Sequence, residues 1–501
     1  MINFDNPLSV SICADGNWKD SAAEVSIENN SVYLTANHAS WVRITWEADF
    51  SENALVLNDA WERSYGDLSW KSIGALGFSP WFFAVKENDV IHCIGVKTGP
   101  SALCSWTLTR KSVTLLMDVR CGCKDVQLDG RRLKMAELVS LSKSGDVFDA
   151  LNDFYHVLCE NPVLPSAPVY GGNDWYACPG TNSFESVLKL SDIVAECSKG
   201  LKNRPYQVID AGWSLCHSWY SDKEYIGGPF RYCNDKFGDM KAMADAIKDR
   251  DIKPGLWIRP LETVEYIPDE AILHRDKTVK YMDPTHPYSK EKLSEDIRRI
   301  REWGYEMIKI DFITFDIFGK YGFSMSESVA GGDWSFYEKN KTTAEILREY
   351  YLRISNDANG AFINACNTFS HLSAGIFPVY RIGDDTNIKN FDITLKMCVN
   401  TLAFRGAMHN AFFAADADCV SITGGGIWEK NKEWLRLLSY SGTPLLVSVE
   451  PEFYSPEVRE AITSAFALAS EPHKVAKPID WYETKIPRKW DTFDGIKEFN
   501  W

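Results

Sequence analysis

Two short segments hold the residue types that bond-breaking chemistry would need. Residues 305–314 read Tyr-Glu-Met-Ile-Lys-Ile-Asp-Phe-Ile-Thr, an apolar run that closes on Lys309 and Asp311. Residues 380–386 read Tyr-Arg-Ile-Gly-Asp-Asp-Thr, which sets Arg381 four residues before Asp385 and beside Asp384. Two carboxylates at the ends of separate strands, each with a cation near it, suit cleavage of a glycosidic bond. One attacks the anomeric carbon and the other protonates the leaving oxygen. Side chains alternate along a strand, so Lys309 and Asp311 should project the same way. A nearby ammonium favours the ionised carboxylate, the state a nucleophile needs. The plain alternatives are a surface ion pair for Arg381 and Asp385 and helix caps for Asp384, Asp416 and Asp418.

The elements that would position these residues lie in the middle of the chain. Short apolar runs alternate with amphipathic helices from about 167 to 450. Strand candidates are 168–175, 206–210, 253–258, 305–312, 360–365, 379–383, 411–416 and 444–449. Helix candidates include 183–200, 237–250, 288–303 and 337–358. Eight strands alternating with helices predict a (β/α)8 TIM barrel. Chemistry in such a barrel sits at the C-terminal ends of the strands. The polar residues at those ends are Asp174 and Trp175, Asp210, Trp257 and Arg259, Lys309 and Asp311, Cys366 and Asn367, Arg381 with Asp384 and Asp385, and Asp416 with Asp418.

Before the barrel, the pattern has period two. Glu24-Val-Ser-Ile-Glu, Trp41-Val-Arg-Ile-Thr-Trp and Ser112-Val-Thr-Leu-Leu-Met-Asp-Val alternate apolar and polar residues. Such segments, with turn residues between them, predict antiparallel strands of a β-sandwich. A connecting helix over 146–160 and the proline-rich Asn161-Pro-Val-Leu-Pro-Ser-Ala-Pro mark the boundary. A helix over 455–470 precedes an aromatic, charged tail. The expected class is therefore α/β, a TIM barrel preceded by an antiparallel β-sandwich domain. The expected units are 1–165, 166–470 and a tail or small β module over 471–501.

A chain of 501 residues exceeds one ordinary domain, in keeping with that division. A net charge of −15 disfavours nucleic acid and anionic membranes as partners. No apolar run reaches the roughly 20 residues a membrane helix needs, and the N-terminus lacks a signal-peptide pattern. The 13 Cys follow no disulfide-scaffold spacing, so free thiols in a reducing, cytoplasmic setting are expected. Cys121-x-Cys123 is a weak zinc signal, and no metal or organic cofactor is expected. The 18 Trp fill large cores or serve as stacking platforms for sugar faces.

Taken together, these residues resemble glycoside hydrolase clan D, the α-galactosidase clan, and family thirty-six within it. Met282-Asp-Pro-Thr-His-Pro, followed by Trp303-Gly-Tyr and Ile308-Lys-Ile-Asp-Phe, is similar to that family's barrel signature. The resemblance implies that Asp311 is the nucleophile, Lys309 a sugar-hydroxyl ligand, Asp385 the general acid/base and Arg381 a substrate ligand. Asp384 is the competing acid/base. It also implies substrate contacts for Trp175, Asp210, Trp257, Arg259, Cys366, Asn367 and Asp384, and an N-terminal β-sandwich. The chain departs from the family at Cys366-Asn367-Thr368, which lacks the usual Gly-rich run, and again after the second strand. Asp210-Ala211-Gly212-Trp213 stands where the family usually has Asp-Asp-Gly-Trp, so one carboxylate acceptor is missing. A lost charged hydrogen bond to substrate costs roughly 1.5–3 kcal/mol, enough to change which sugar is preferred.

The expected activity is retaining hydrolysis of a terminal α-galactoside or a closely related sugar, with an oligosaccharide or glycoside as the small-molecule partner. Self-association into a homo-oligomer is left open. The rivals are a transglycosylase on the same site, a clan relative specific for another sugar, a carbohydrate-binding protein without turnover, and a barrel enzyme using Lys309 as a Schiff base.

Overall fold

The computed structural model describes residues 2–20, 23–215, 228, 230–276 and 279–501. Two antiparallel sheets occupy the first part of the chain, one of six strands and one of seven among the described residues. The predicted alternation is visible in Trp41–Glu47, whose even-numbered residues are buried. The inner faces of the sheets close on Val42, Ile44, Trp46, Trp106 and Leu115, all fully buried. The helix Val147–Leu158 then leads away, capped by the Asp146 carboxylate on the Asp149 N–H.

The middle of the chain forms a parallel sheet of nine strands among the described residues. Its strands are Tyr170–Asn173, Tyr206–Ile209, Lys253–Ile258, Met307–Ile310, Phe362–Ala365, Val379–Arg381, Ala414–Asp416, Val420–Ile422 and Leu445–Val449. Each of the eight expected positions carries a strand. The seventh is split in two, because Asp418 adopts φ +73° between its halves. The hydrogen-bonded order runs from Ala414–Asp416 through the first strand to Val420–Ile422. The two ends of the sheet are thus separated by only three residues of chain.

Helices Phe184–Cys197, Met240–Lys248, Pro287–Glu302 and Thr343–Asp357 lie where apolar periodicity places them. The last begins six residues later than expected. Thr342 and Glu345 form a capping box, with Thr342 accepting from the Glu345 N–H and Glu345 from the Thr342 N–H. That reciprocal pair satisfies two donors and sets the start of the helix. Further elements have no counterpart in the sequence reading, among them the helical segment 391–405 after the sixth strand. A three-stranded antiparallel sheet (Glu262–Thr263, Ile272–Asp276, Val279–Met282) follows the third strand. A short helix, Ile313–Phe318, follows the fourth. The helix Trp428–Ser441 follows the split seventh. The tail carries three short antiparallel strands, Lys477–Pro478, Lys489–Thr492 and Gly495–Glu498. No described helix is long and apolar enough to cross a membrane. The twelve described cysteines are all free.

A buried cation ties the N-terminal sheets to the parallel sheet. Arg405 pairs with Asp59 at 3.0 Å, and both side chains are 1% exposed. The same guanidinium donates to the carbonyls of Glu62 at 2.8 Å and Ile382 at 2.9 Å. It therefore ties the loop after strand Leu55–Asn58 to the end of strand Val379–Arg381. Burial drives the Asp59 carboxyl up to about 6, against the pull of Arg405. The backbone completes the junction. The Ser64 N–H donates to the Ile382 carbonyl at 2.8 Å, and the Asp384 N–H to the Ser64 carbonyl at 2.9 Å. Gly383 is required at this point, since a Cβ there would collide with the Met397 carbonyl.

Candidate active site

The strand ends converge on a cavity of about 410 Å³, lined among others by Asp210, Lys309, Asp311, Arg381, Asp384 and Asp385. Asp311 leaves the fourth strand at the cavity floor. Its Oδ2 accepts from the Trp257 indole N–H at 3.2 Å, and its Oδ1 from the Phe312 N–H at 2.9 Å. The second contact depends on an unusual backbone. Phe312 takes φ +62°, a left-handed conformation that costs a non-glycine residue about 1–2 kcal/mol. Strain of this kind persists where the surroundings over-determine it, and here it turns an N–H back onto the carboxylate.

Burial raises the Asp311 carboxyl above its usual range, and Lys309 and Arg63 oppose that rise. Lys309 does not pair with Asp311, as the strand alternation suggested. Its ammonium reaches across the sheet to Asp210 Oδ2, 2.6 Å away. Burial alone would lower the Lys309 pKa, but Asp210 holds it well above its ordinary value. Asp210 is further fixed by the Asn173 amide and the Ala211 N–H, each at 2.9 Å. Behind it, Asp174 accepts from the Asp210 N–H at 2.7 Å. Burial, and then the Asp210 charge, push the Asp174 carboxyl up to about 7. Ala211 itself is fully buried.

Arg381 occupies the opposite wall. It contacts Asp385 at 3.0 Å and Asp418 at 3.0 Å. Asp418 also accepts from the Thr386 N–H at 2.7 Å and from the Tyr176 hydroxyl. Its left-handed turn therefore serves the cavity wall. Asp416 accepts from the Asn364 amide at 3.0 Å and lies outside the lining. Asp385 is half exposed at the cavity; the protein packed around it would raise its carboxyl, but Arg63, Arg381 and Lys309 together bring it below its usual value. Asp384 moves the other way, raised by burial against the pull of Arg63.

The remaining expected site residues divide. Trp175 and Asn367 line the cavity. Trp257 serves it through Asp311. Arg259 and Cys366 are not among the lining residues. Arg259 is spent on Asp316 and Glu262, at 2.6 Å and 2.7 Å, under the Phe312 ring. Cys366 is a fully buried thiol whose pKa burial pushes up strongly.

Sequence reasoning missed the contribution of the sandwich. Arg63 pairs with Asp384 at 2.7 Å and reaches Asp385 at 3.4 Å. Tyr65 lines the same cavity, as do Tyr176, Phe312, Tyr321 and Phe323. Phe323 is 68% exposed at the mouth, edge-on to Tyr65 at 5.0 Å and stacked with Tyr321 at 6.0 Å. The available signal was the run Asp59-Ala-Trp-Glu-Arg-Ser-Tyr65, where charges and aromatics crowd a loop between otherwise alternating strands.

Metal-type spacing occurs once among the described residues. Ligand atoms of Asp15, His38 and Asp125 lie within 4.8 Å of one another on the sandwich surface. Asp15 and His38 already pair there at 3.0 Å. Cys121 and Cys123 are not part of that group.

No protein-family model and no curated protein sequence matches the chain. Solved structures do. TtGalA, an alpha-galactosidase from Thermus thermophilus in complex with p-nitrophenyl alpha-D-galactopyranoside, aligns with 98% of this chain and 99% of its own, at TM-score 0.65 and 14% identity. The galactosidase domain of the alpha-galactosidase-sucrose kinase AgaSK aligns with 90% of this chain and 67% of its own, at TM-score 0.60 and 15% identity. The GH36 alpha-galactosidase AgaB from Geobacillus stearothermophilus aligns with 88% of this chain and 65% of its own, at TM-score 0.60 and 12% identity. At such identities the likeness is one of fold, and the fold of this chain is that of the family thirty-six glycoside hydrolases of clan D.

Proposed function

We propose that the chain is a retaining glycoside hydrolase acting on a terminal α-galactoside or a closely related sugar. The observation that carries this is the convergence of Asp311 and Asp385 on one cavity, each carboxyl held by its own donors. Asp311 attacks the anomeric carbon while Asp385 gives its proton to the leaving oxygen; the cations beside Asp385 favour its ionised form in the free protein, so this role requires it to take up a proton when substrate binds. Forming the ester removes the negative charge of Asp311. Asp385 thereby becomes more acidic, and it is ready to act as base toward the water that completes the reaction. Lys309, Asp210 and Arg381 bind sugar hydroxyls, with Trp175 offering an apolar face. Phe323, Tyr65 and Tyr321 form a rim on which the leaving group rests. Solved structures with this fold include an alpha-galactosidase, TtGalA, in complex with p-nitrophenyl alpha-D-galactopyranoside and with stachyose, which supports the choice of sugar.

The chain divides into a sandwich unit over 1–165, a catalytic unit over 166–470 and a tail over 471–501. The sheet is read as a closed (β/α)8 barrel because its two ends are consecutive in the chain. The deciding experiment is a panel of nitrophenyl α- and β-glycosides of galactose, N-acetylgalactosamine, glucose and arabinopyranose, assayed with wild type and Asp311→Ala. Release from an α-glycoside that the substitution abolishes is expected, with the product first appearing as the α-anomer by NMR. Undiminished release by Asp311→Ala overturns the assignment.

A further inference from the structure

We propose that Arg63, supplied by the β-sandwich, is a positioning residue that sets the protonation of the acid/base carboxyl and thereby the working pH of the barrel. The inference rests on the two-carboxylate reaction proposed above. Its basis is geometry. Arg63 is 8% exposed, with one guanidinium nitrogen on Asp384 at 2.7 Å and another 3.4 Å from Asp385. Its arm cannot swing freely, because the backbone on either side of it is fastened to the barrel. Arg405 grips the Glu62 carbonyl, and Ser64 exchanges hydrogen bonds with Ile382 and Asp384. The Arg63 side chain also lies over the Tyr65 ring, 5.7 Å from its centre.

Two consequences follow for the carboxyl pair. Arg63 holds Asp384 to one side, so that Asp385 alone meets Arg381. It also places a second cation beside Asp385, favouring its ionised form. The charged surroundings of Asp385 come from several elements. Arg381 and Asp384 flank it from its own loop, and Lys309 and Asp311 face it from the fourth strand. Tyr176 approaches from the loop after the first strand and Cys398 from the helical segment 391–405, and Asp418 stands beyond Arg381. Among the described lining residues, Arg63 and Tyr65 are those that arrive from the sandwich. A general acid must carry its proton, so activity falls as pH rises through its pKa. Removing a neighbouring cation raises a carboxyl pKa. The alkaline limb of kcat/KM in Arg63→Met should therefore move to higher pH. Asp385 is half exposed and keeps Arg381, so the expected displacement is about 0.5–1 pH unit, below the full effect of a close opposite charge.

The test is the pH profile of kcat/KM on the best glycoside from the panel, for wild type, Arg63→Met, Arg63→Lys and Asp311→Ala. An upward displacement in Arg63→Met, smaller or absent in Arg63→Lys, is the expected result. Uniformly lower activity with an unmoved limb would show that Arg63 merely supports the loop, and it overturns the inference. If Arg63→Met does not fold, Arg63→Gln is read in its place against the same criterion. Failure of the underlying reaction looks different. A wild type without glycosidase activity, or an Asp311→Ala that retains it, removes both proposals. An active wild type with a dead Asp311→Ala and an unmoved limb removes only the role of Arg63.

Discussion

Replacing Lys309 by methionine tests whether this lysine holds the site together as well as lining it. Lys309 and Asp210 are 10% and 4% exposed and lie 2.6 Å apart. Methionine keeps most of the packing volume but leaves the Asp210 carboxylate buried without its cation. Breaking a buried pair from one side costs about 3–5 kcal/mol. Asp210 would retain the Asn173 amide and the Ala211 N–H, which favours the lower half of that range. Unfolding entropy near 2.1 cal/mol/K per residue gives about 0.6 kcal/mol/K for a cooperative unit of about 300 residues. The expected fall in Tm is therefore about 5–6 °C. Adding Asp210→Asn removes the stranded charge, so the double variant should regain most of the loss. Differential scanning calorimetry of the four proteins of this cycle reads the coupling directly. A Lys309→Met Tm within about 1 °C of wild type, or a double variant no more stable than the single, would refute the reasoning.

The competition between Asp384 and Asp385 can be decided by leaving-group dependence. Asp385→Asn should lower kcat/KM by about 10²–10⁴ on an alkyl galactoside, and far less on a nitrophenyl one whose leaving group needs no proton. Asp384→Asn should lower both alike, and the opposite pattern would exchange the two roles. A third expectation concerns pH and stability. Asp174 is raised to about 7, so its contribution is fully present below the unfolded value and is lost as pH rises through about 7. Asp174→Asn should accordingly gain about 3–6 °C in Tm relative to wild type between pH 5 and pH 8. A difference in Tm that does not change with pH would contradict that sign.

The strands were legible because each is a short apolar run bounded by turn residues, and the carboxyls because each follows its strand within a residue or a short loop. What alternation could not supply was the partner. It told which side Lys309 faces but not that its long arm would cross the third strand to reach Asp210. One residue beyond a strand it did not discriminate, since Asp210 and Asp311 line the cavity from that position and Arg259 and Cys366 do not. Arg259 was expected at the cavity as a strand-end residue, and the strand does end at Ile258. Past that point the chain turns and the guanidinium goes to Asp316 and Glu262 instead. Cys366, one residue beyond Ala365, is likewise outside the lining. Arg63 was out of reach for a different cause. Its place depends on Arg405, more than three hundred positions along the chain, gripping two carbonyls at once. No local period encodes such a contact. What the sequence does carry is its cost: a loop that crowds Asp59, Trp61, Glu62 and Arg63 together must find buried partners for them. Asp59 finds its partner in Arg405, and Arg63 finds Asp384 and Asp385 beyond the end of strand Val379–Arg381. An N-terminal loop dense in charge and aromatics is for that reason a better guide to the boundary of this site than the strand ends that lie beyond its walls.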